Sequence, residues 1–173
     1  MSIIRRVLLL ACCVALLLPA RVPGERVGES DWELLAVAYP PDRDVSVALG
    51  GAEKTLTAKG LCKVKWRESA AILELEVQDL PSPAEIGWTG QQYVLWAVDE
   101  EKRSVNLGLV PLQGKDAKWK VQVPLRIFGL LVTAEKNRQA AAPSTSVVLE
   151  SLLPTDPRLV IPVFRVNLRL APG

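Results

Sequence analysis

Short apolar blocks separated by polar, Gly- or Pro-marked breaks run through most of this chain. In its second half they fall at residues 93–98, 106–110, 128–135 and 147–150. Each block is too short for a helix, lacks a 3.6-residue period and is rich in β-branched or aromatic residues, so consecutive antiparallel strands are expected. Upstream, residues 32–39 read as a first strand stopped by Pro40 and Pro41, 45–49 as a second closed by Gly50 and Gly51, and 54–58 as a short third before Gly60.

The next pair supports a sharper expectation. Residues 61–67 and 72–78 both alternate, and the four residues between them suit a hairpin loop. Opposed residues of an antiparallel pair share a face. With Trp66 opposite Leu73, Val64 meets Leu75, Cys62 meets Val77, Lys65 meets Glu74 and Lys63 meets Glu76. A two-residue slip that tightens the loop sets Lys65 against Ile72 and spoils the charge match, so the first register is expected, with Trp66 on the core face.

Residues 87–92 form a loop that carries Trp88 between Gly87 and Gly90. The strand at 93–98 is apolar on both faces, which implies either cover on both sides or a surface for a partner. Residues 99–104 make a charged turn, 119–123 alternate, and a helical turn or two within 136–142 is the only helix candidate. Beyond three prolines, residues 164–170 alternate without a break: Phe164, Val166, Leu168 and Leu170 on one face, Arg165, Asn167 and Arg169 on the other. A half-buried strand at a sheet edge of the same domain is expected there.

Several of these pieces occur in a familiar order: Tyr93, Leu95 and Trp96; Leu107 and Gly108; Val132, Thr133 and Glu135; Pro143, Ser144 and Thr145; Val147, Val148 and Leu149; with Ala58-Lys59-Gly60 and Asp79-Leu80-Pro81 upstream. Over residues 45–150 the order and spacing resemble the C-terminal extracytoplasmic domain of anti-sigma-K factors. The resemblance implies an extracytoplasmic β domain that works by interaction. Two departures stand out: residues 136–142 replace the family's Gly-Gly-Ser hairpin tip, and no cytoplasmic sigma-binding domain or full transmembrane helix is present in this sequence. A chain of this kind could not itself hold a sigma factor.

Length and charge narrow the picture. The 173 residues are enough for one self-sufficient core. With 21 basic against 19 acidic residues the net charge is +2, too balanced for the one-sided field that nucleic acid requires, so no nucleic-acid partner is expected. Residues 1–20 combine Arg5 and Arg6 with an apolar run over 7–18 and a small residue, Ala20, in the pattern of a signal peptide. The apolar run reaches roughly 18 Å against a hydrocarbon core of ~30 Å. Cleavage near Ala20 is the leading expectation; lipidation at Cys12, a twin-arginine signal and an uncleaved anchor remain alternatives. Export to a bacterial periplasm or cell envelope follows, with 21–31 as linker, 32–153 as the domain and 154–173 as an extension adding one strand. Once residues 1–20 leave, Cys62 is the only cysteine and is expected to be a small buried hydrophobe.

The chemistry is sparse. No histidine occurs, which removes the commonest general base and the imidazole metal ligands. Glu74 and Glu76 are expected to pair with Lys63 and Lys65 rather than to form a hydrolytic carboxylate pair, and residues 42–44 and 99–101 to be solvated turns rather than calcium loops. Neither a catalytic residue nor a metal or cofactor site is expected. Trp32, Trp66, Trp96 and Trp119 fall in strands and are expected in the core. Trp88, in a loop, is the one candidate ligand or partner contact, by stacking on a sugar or filling a partner's pocket. The expected fold is all-β: an antiparallel β-sandwich of roughly eight to ten strands, immunoglobulin-like in general architecture without the disulfide. The expected function is a non-catalytic exported interaction or sensory domain with an envelope or membrane protein as partner, or alternatively a carbohydrate- or envelope-polymer-binding module.

Overall fold

A computed structural model describes residues 30–67, 69–154, 156 and 159–173. The expected signal peptide, Cys12 and most of the expected linker lie outside the described residues. Ten antiparallel strands account for the fold: β1 (Ser30–Ala38), β2 (Val45–Gly51), β3 (Lys59–Arg67), β4 (Ala70–Gln78), β5 (Gln92–Val98), β6 (Ser104–Leu109), β7 (Ala117–Val123), β8 (Ile127–Glu135), β9 (Val147–Ser151) and β10 (Val163–Leu170). The all-β expectation and its strand number hold.

Eight strands form one continuous sheet in the order β6-β5-β8-β9-β2-β3-β4-β7. The sheet rolls until β6 approaches β7, so it is nearly a barrel and its two halves face each other as layers. Alternation then decides what lies inside. Leu73, Leu75 and Val77 of β4 and Cys62, Val64 and Trp66 of β3 meet Leu95 and Ala97 of β5 and Phe128, Leu130 and Val132 of β8 in a first core. The other faces of β5 and β8 carry Val94, Trp96, Val98 and Leu131, and these form a second core with Leu34 and Ala36 of β1 and Val166, Leu168 and Leu170 of β10. A ribbon of β1 and β10, paired from Ser30↔Leu170 to Val37↔Val163, thus lies over the outside of the roll. This explains why β5 is apolar on both faces: residues 93–98 are all buried. β1 reaches the main sheet only at its end, where Val37 and Ala38 pair with Phe128 and Ile127.

The β3–β4 hairpin corrects the expected register. Cys62 opposes Leu75, Val64 opposes Leu73, Lys65 opposes Ile72 and Arg67 opposes Ala70, so that two residues separate the strands. This is the slip that charge matching within the hairpin disfavours. The reason is that β4 is not an edge strand: β7 pairs along its other side, with Glu74↔Lys120 and Glu76↔Lys118. The carboxylates find cations there, so the charge match within the hairpin does not oppose the shorter connection. A slip of two preserves the faces, and Trp66 is buried as expected.

Local details differ too. The expected strand at 54–58 is instead a short 3-10 turn, Glu53–Thr55, and the other 3-10 turn is Pro83–Ile86. Residues 136–142 form turns rather than helix: Ala140 N donates to Asn137 O at 3.0 Å and Gln139 N to Asn137 Oδ1 at 2.9 Å. Gly51 does not close β2 but belongs to it, paired with Leu149. A Cβ there would stand 1.9 Å from Thr55 O, so the 3-10 turn can fold onto the strand only over glycine. Among the described residues no helix is long and apolar enough to cross a membrane.

Candidate functional site

The outer face of β2, β3 and β4 carries two unlike surfaces. Toward one end lies a charged lattice. Glu74 Oε2 takes Lys65 Nζ at 2.8 Å and its Oε1 takes Lys120 Nζ at 2.9 Å. Lys118 reaches Glu76 at 3.4 Å and Lys63 reaches Asp44 at 3.5 Å. Hydrogen bonds from Lys65 and Lys120 pull the Glu74 carboxyl down to about 2. Glu74 and Glu76 are therefore ion-pair partners, but chiefly of β7, not of Lys63 as the sequence suggested.

Toward the other end the charges thin out to Lys59 and Glu76. Ala48, Gly50 and Gly60 floor an open cleft of about 850 Å³ that Leu56, Leu61 and Leu152 line. These leucines are 77%, 51% and 44% exposed. The cleft follows from the local fold. Leu61 points outward because it shares the face of Lys63 and Lys65, and the observed register sets it against Glu76. Leu152 N donates to Ala48 O at 2.9 Å, which carries the chain past β9 alongside β2 and lays the Leu152 side chain against Gly50. Leu56 follows the 3-10 turn that Gly51 admits. The nearby charges are engaged within the chain, Lys59 with Asp79 at 3.9 Å and Glu76 with Lys118. Sequence reasoning did not single out this cluster; its one visible signal was a leucine at the head of a row otherwise made of lysines.

Trp88 stands at the C-terminal end of the Pro83–Ile86 turn, its N–H donating to Pro83 O at 2.8 Å. It is half-buried and packs on the first core, with Lys54 Nζ 4.8 Å from the centre of its ring. Among the other tryptophans, Trp66 and Trp96 are buried, whereas Trp32 and Trp119 are half-buried at the margins of the cores.

The remaining reactive groups are occupied or buried. Cys62 lies in the first core, where burial pushes its thiol up to about 12, which removes thiolate chemistry near neutrality. Burial likewise pushes the Tyr39 phenol up. Asp99, expected in a solvated turn, is buried and accepts from the backbone N–H of Glu101 at 3.0 Å and of Arg103 at 2.8 Å, folding its own turn. Among the described residues no group of three acidic, Cys or His side chains is placed to hold a metal ion.

The residues that carry the resemblance have a structural part. Trp96 Nε1 donates to Thr133 Oγ1 at 2.8 Å; Thr133 Oγ1 donates in turn to Glu135 Oε1, which also accepts from Ser144 N at 2.8 Å. Ser144 Oγ donates to Ala134 O at 3.1 Å and Tyr93 Oη to Pro81 O at 2.8 Å. These bonds tie β5, β8 and the segment before β9 together. Compared with known protein families, with curated proteins and with solved structures, the chain finds no match in any of the three.

Proposed function

We propose that this chain is a non-catalytic interaction or sensory domain of the cell exterior, similar in role to the outer domain of anti-sigma-K factors, and that it docks an envelope protein through the leucine-lined cleft. The observation that carries the reading is the convergence of Leu56, Leu61 and Leu152 on one dent floored by Gly50 and Gly60. Single exposed leucines are ordinary, but a contiguous exposed cluster on a concave surface is where partner side chains gain the most from leaving water. The tied-down carboxylates and the buried thiol support a binding role rather than a reaction. The sugar-platform reading of Trp88 is the weaker one, because the indole's contacts are already made with the first core and Lys54.

Photo-crosslinking in the native cell tests the proposal. A crosslinking residue in place of Leu61 should give a discrete adduct with an envelope protein, while one in place of the exposed Gln122 should not. A crosslinking residue in place of Leu56 should give the same adduct, and adding Leu61→Glu to it should keep the fold and abolish that adduct. Equal labelling from positions 61 and 122, or recovery of the chain in a cytosolic fraction, would overturn the reading.

A further inference from the structure

A second hollow, of about 440 Å³, opens beside the leucine cleft, and Leu61 and Glu76 line both. Lys63, Lys118 and Lys120 line it against two carboxylates, Glu74 and Glu76, so its wall carries one positive charge in excess. The lysines are not held alike. Lys120 grips Glu74 at 2.9 Å, whereas Lys118 and Lys63 meet Glu76 and Asp44 at 3.4 and 3.5 Å and stay 81% and 45% exposed. Exposed pairs of that length contribute little and rearrange readily, and an ammonium has three donors. A carboxylate brought here by a partner would meet two loosely committed cations.

The strands set the shape of what can enter. Leu61 stands opposite Ala48 on one side of β2, and Leu152 N donates to Ala48 O on the other. The two leucine walls thus lie one strand spacing to either side of β2, about 10 Å apart. A helix with its side chains measures about 10–12 Å across and cannot sink between them, whereas an extended chain can lower a single side chain there. Along β3, Leu61 and Lys63 share a face two residues apart, about 7 Å. Side chains of an extended segment recur on one face at the same interval.

We propose, resting on the cleft reading above, that the occupant is an extended segment of a protein partner carrying an aliphatic side chain and, two residues from it, a carboxylate. The aliphatic group lies between Leu61 and Leu152 over Gly50, and the carboxylate sits in the adjoining hollow with Lys63 and Lys118. Burial of the anchor supplies the affinity, and the carboxylate decides which segments are accepted.

The test titrates the full chain, labelled with nitrogen-15, with an eight-residue serine peptide that holds one leucine and, two residues on, one glutamate, and follows amide shifts at low salt. Saturable shifts around residues 48–50, 61 and 63 are expected, with a dissociation constant in the millimolar range. Lysine in place of the glutamate, or the glutamate moved next to the leucine, should weaken binding about fivefold. Lys63→Gln with Lys118→Gln should erase that difference and leave the leucine-dependent binding and the melting temperature close to those of the parent. Serine in place of the leucine should abolish the shifts. If the leucine peptides bind alike whatever charge they carry, or the glutamate preference survives the lysine changes, the carboxylate proposal is overturned and the cleft reading stands. Equal affinity with leucine and glutamate four apart overturns the extended form. Shifts that do not need the leucine, or none at all, overturn both readings.

Discussion

The two cores of this molecule are made differently. The first, inside the rolled sheet, is nearly all apolar and draws on β2, β3, β4 and β7 against β5, β8 and β9. The second is smaller, depends on a two-stranded ribbon from the opposite ends of the chain, and has a line of hydrogen bonds, Trp96 to Thr133 to Glu135, on its floor. An interior of alternating strands tolerates many apolar solutions; a face with buried polar groups tolerates few, because each unmet group costs about 1–3 kcal/mol. The motif residues Trp96, Thr133, Glu135 and Ser144 sit on that less tolerant side. Their hydrogen bonds thus hold the face on which the ribbon is seated.

The comparison can be broken most sharply by deleting residues 162–173. That removes Val166, Leu168 and Leu170 and exposes Trp96 and Leu131; at ~1.5–3 kcal/mol for each buried side chain the loss approaches the stability of a whole domain. Loss of cooperative thermal unfolding is expected, and a variant that still melts cooperatively near the parent would show that the second core is dispensable. Next, Leu75→Ala in the first core should cost about 3–5 kcal/mol in urea unfolding and Leu168→Ala about 2–3, since the ribbon can settle into the space and the roll cannot. Equal losses would erase the distinction.

Thr133→Val should cost about 1–3 kcal/mol although it keeps the volume, because it strands the Trp96 indole N–H and one Glu135 contact. The smallest effect is expected on the surface. Glu74 is more acidic in the folded protein than an ordinary glutamate, so its contribution is complete above the ordinary glutamate value. It declines as the pH falls and is gone below about 2. Subtracting the stability profile of Glu74→Gln from that of the parent should give a difference that is flat from pH 7 to pH 5 and shrinks below that. A difference that grows on acidification would reverse the assignment.

What the sequence made legible follows from period two. Alternation placed Trp66, Leu73 and Leu75 on a core face, and a run apolar on both faces left residues 93–98 either covered on both sides or open to a partner, of which the structure has the first. Register was another matter: Lys65, Glu74 and Glu76 were weighed within one hairpin, whereas β7 supplies Lys118 and Lys120 from a part of the chain no local pattern links to β4. Asp99 was hidden for the opposite reason, since a carboxylate that folds its own turn looks like any charged loop. The leucine cleft needs three segments, at 56, 61 and 152, brought together by β2 pairing with β9. Trp88 was legible as a loop residue, but not its neighbour Lys54.

Because Ser30 lies opposite Leu170, β1 finds its ladder partner only after β2 to β9 have been synthesised. Until then β1 has only its short pairing with β8 and the outer face of the roll to rest on. Such distant pairing makes for slow completion. Assembly should therefore end with a clasp, and an unclasped form, with Trp96 open to water, is the species that a chaperone or a protease would meet.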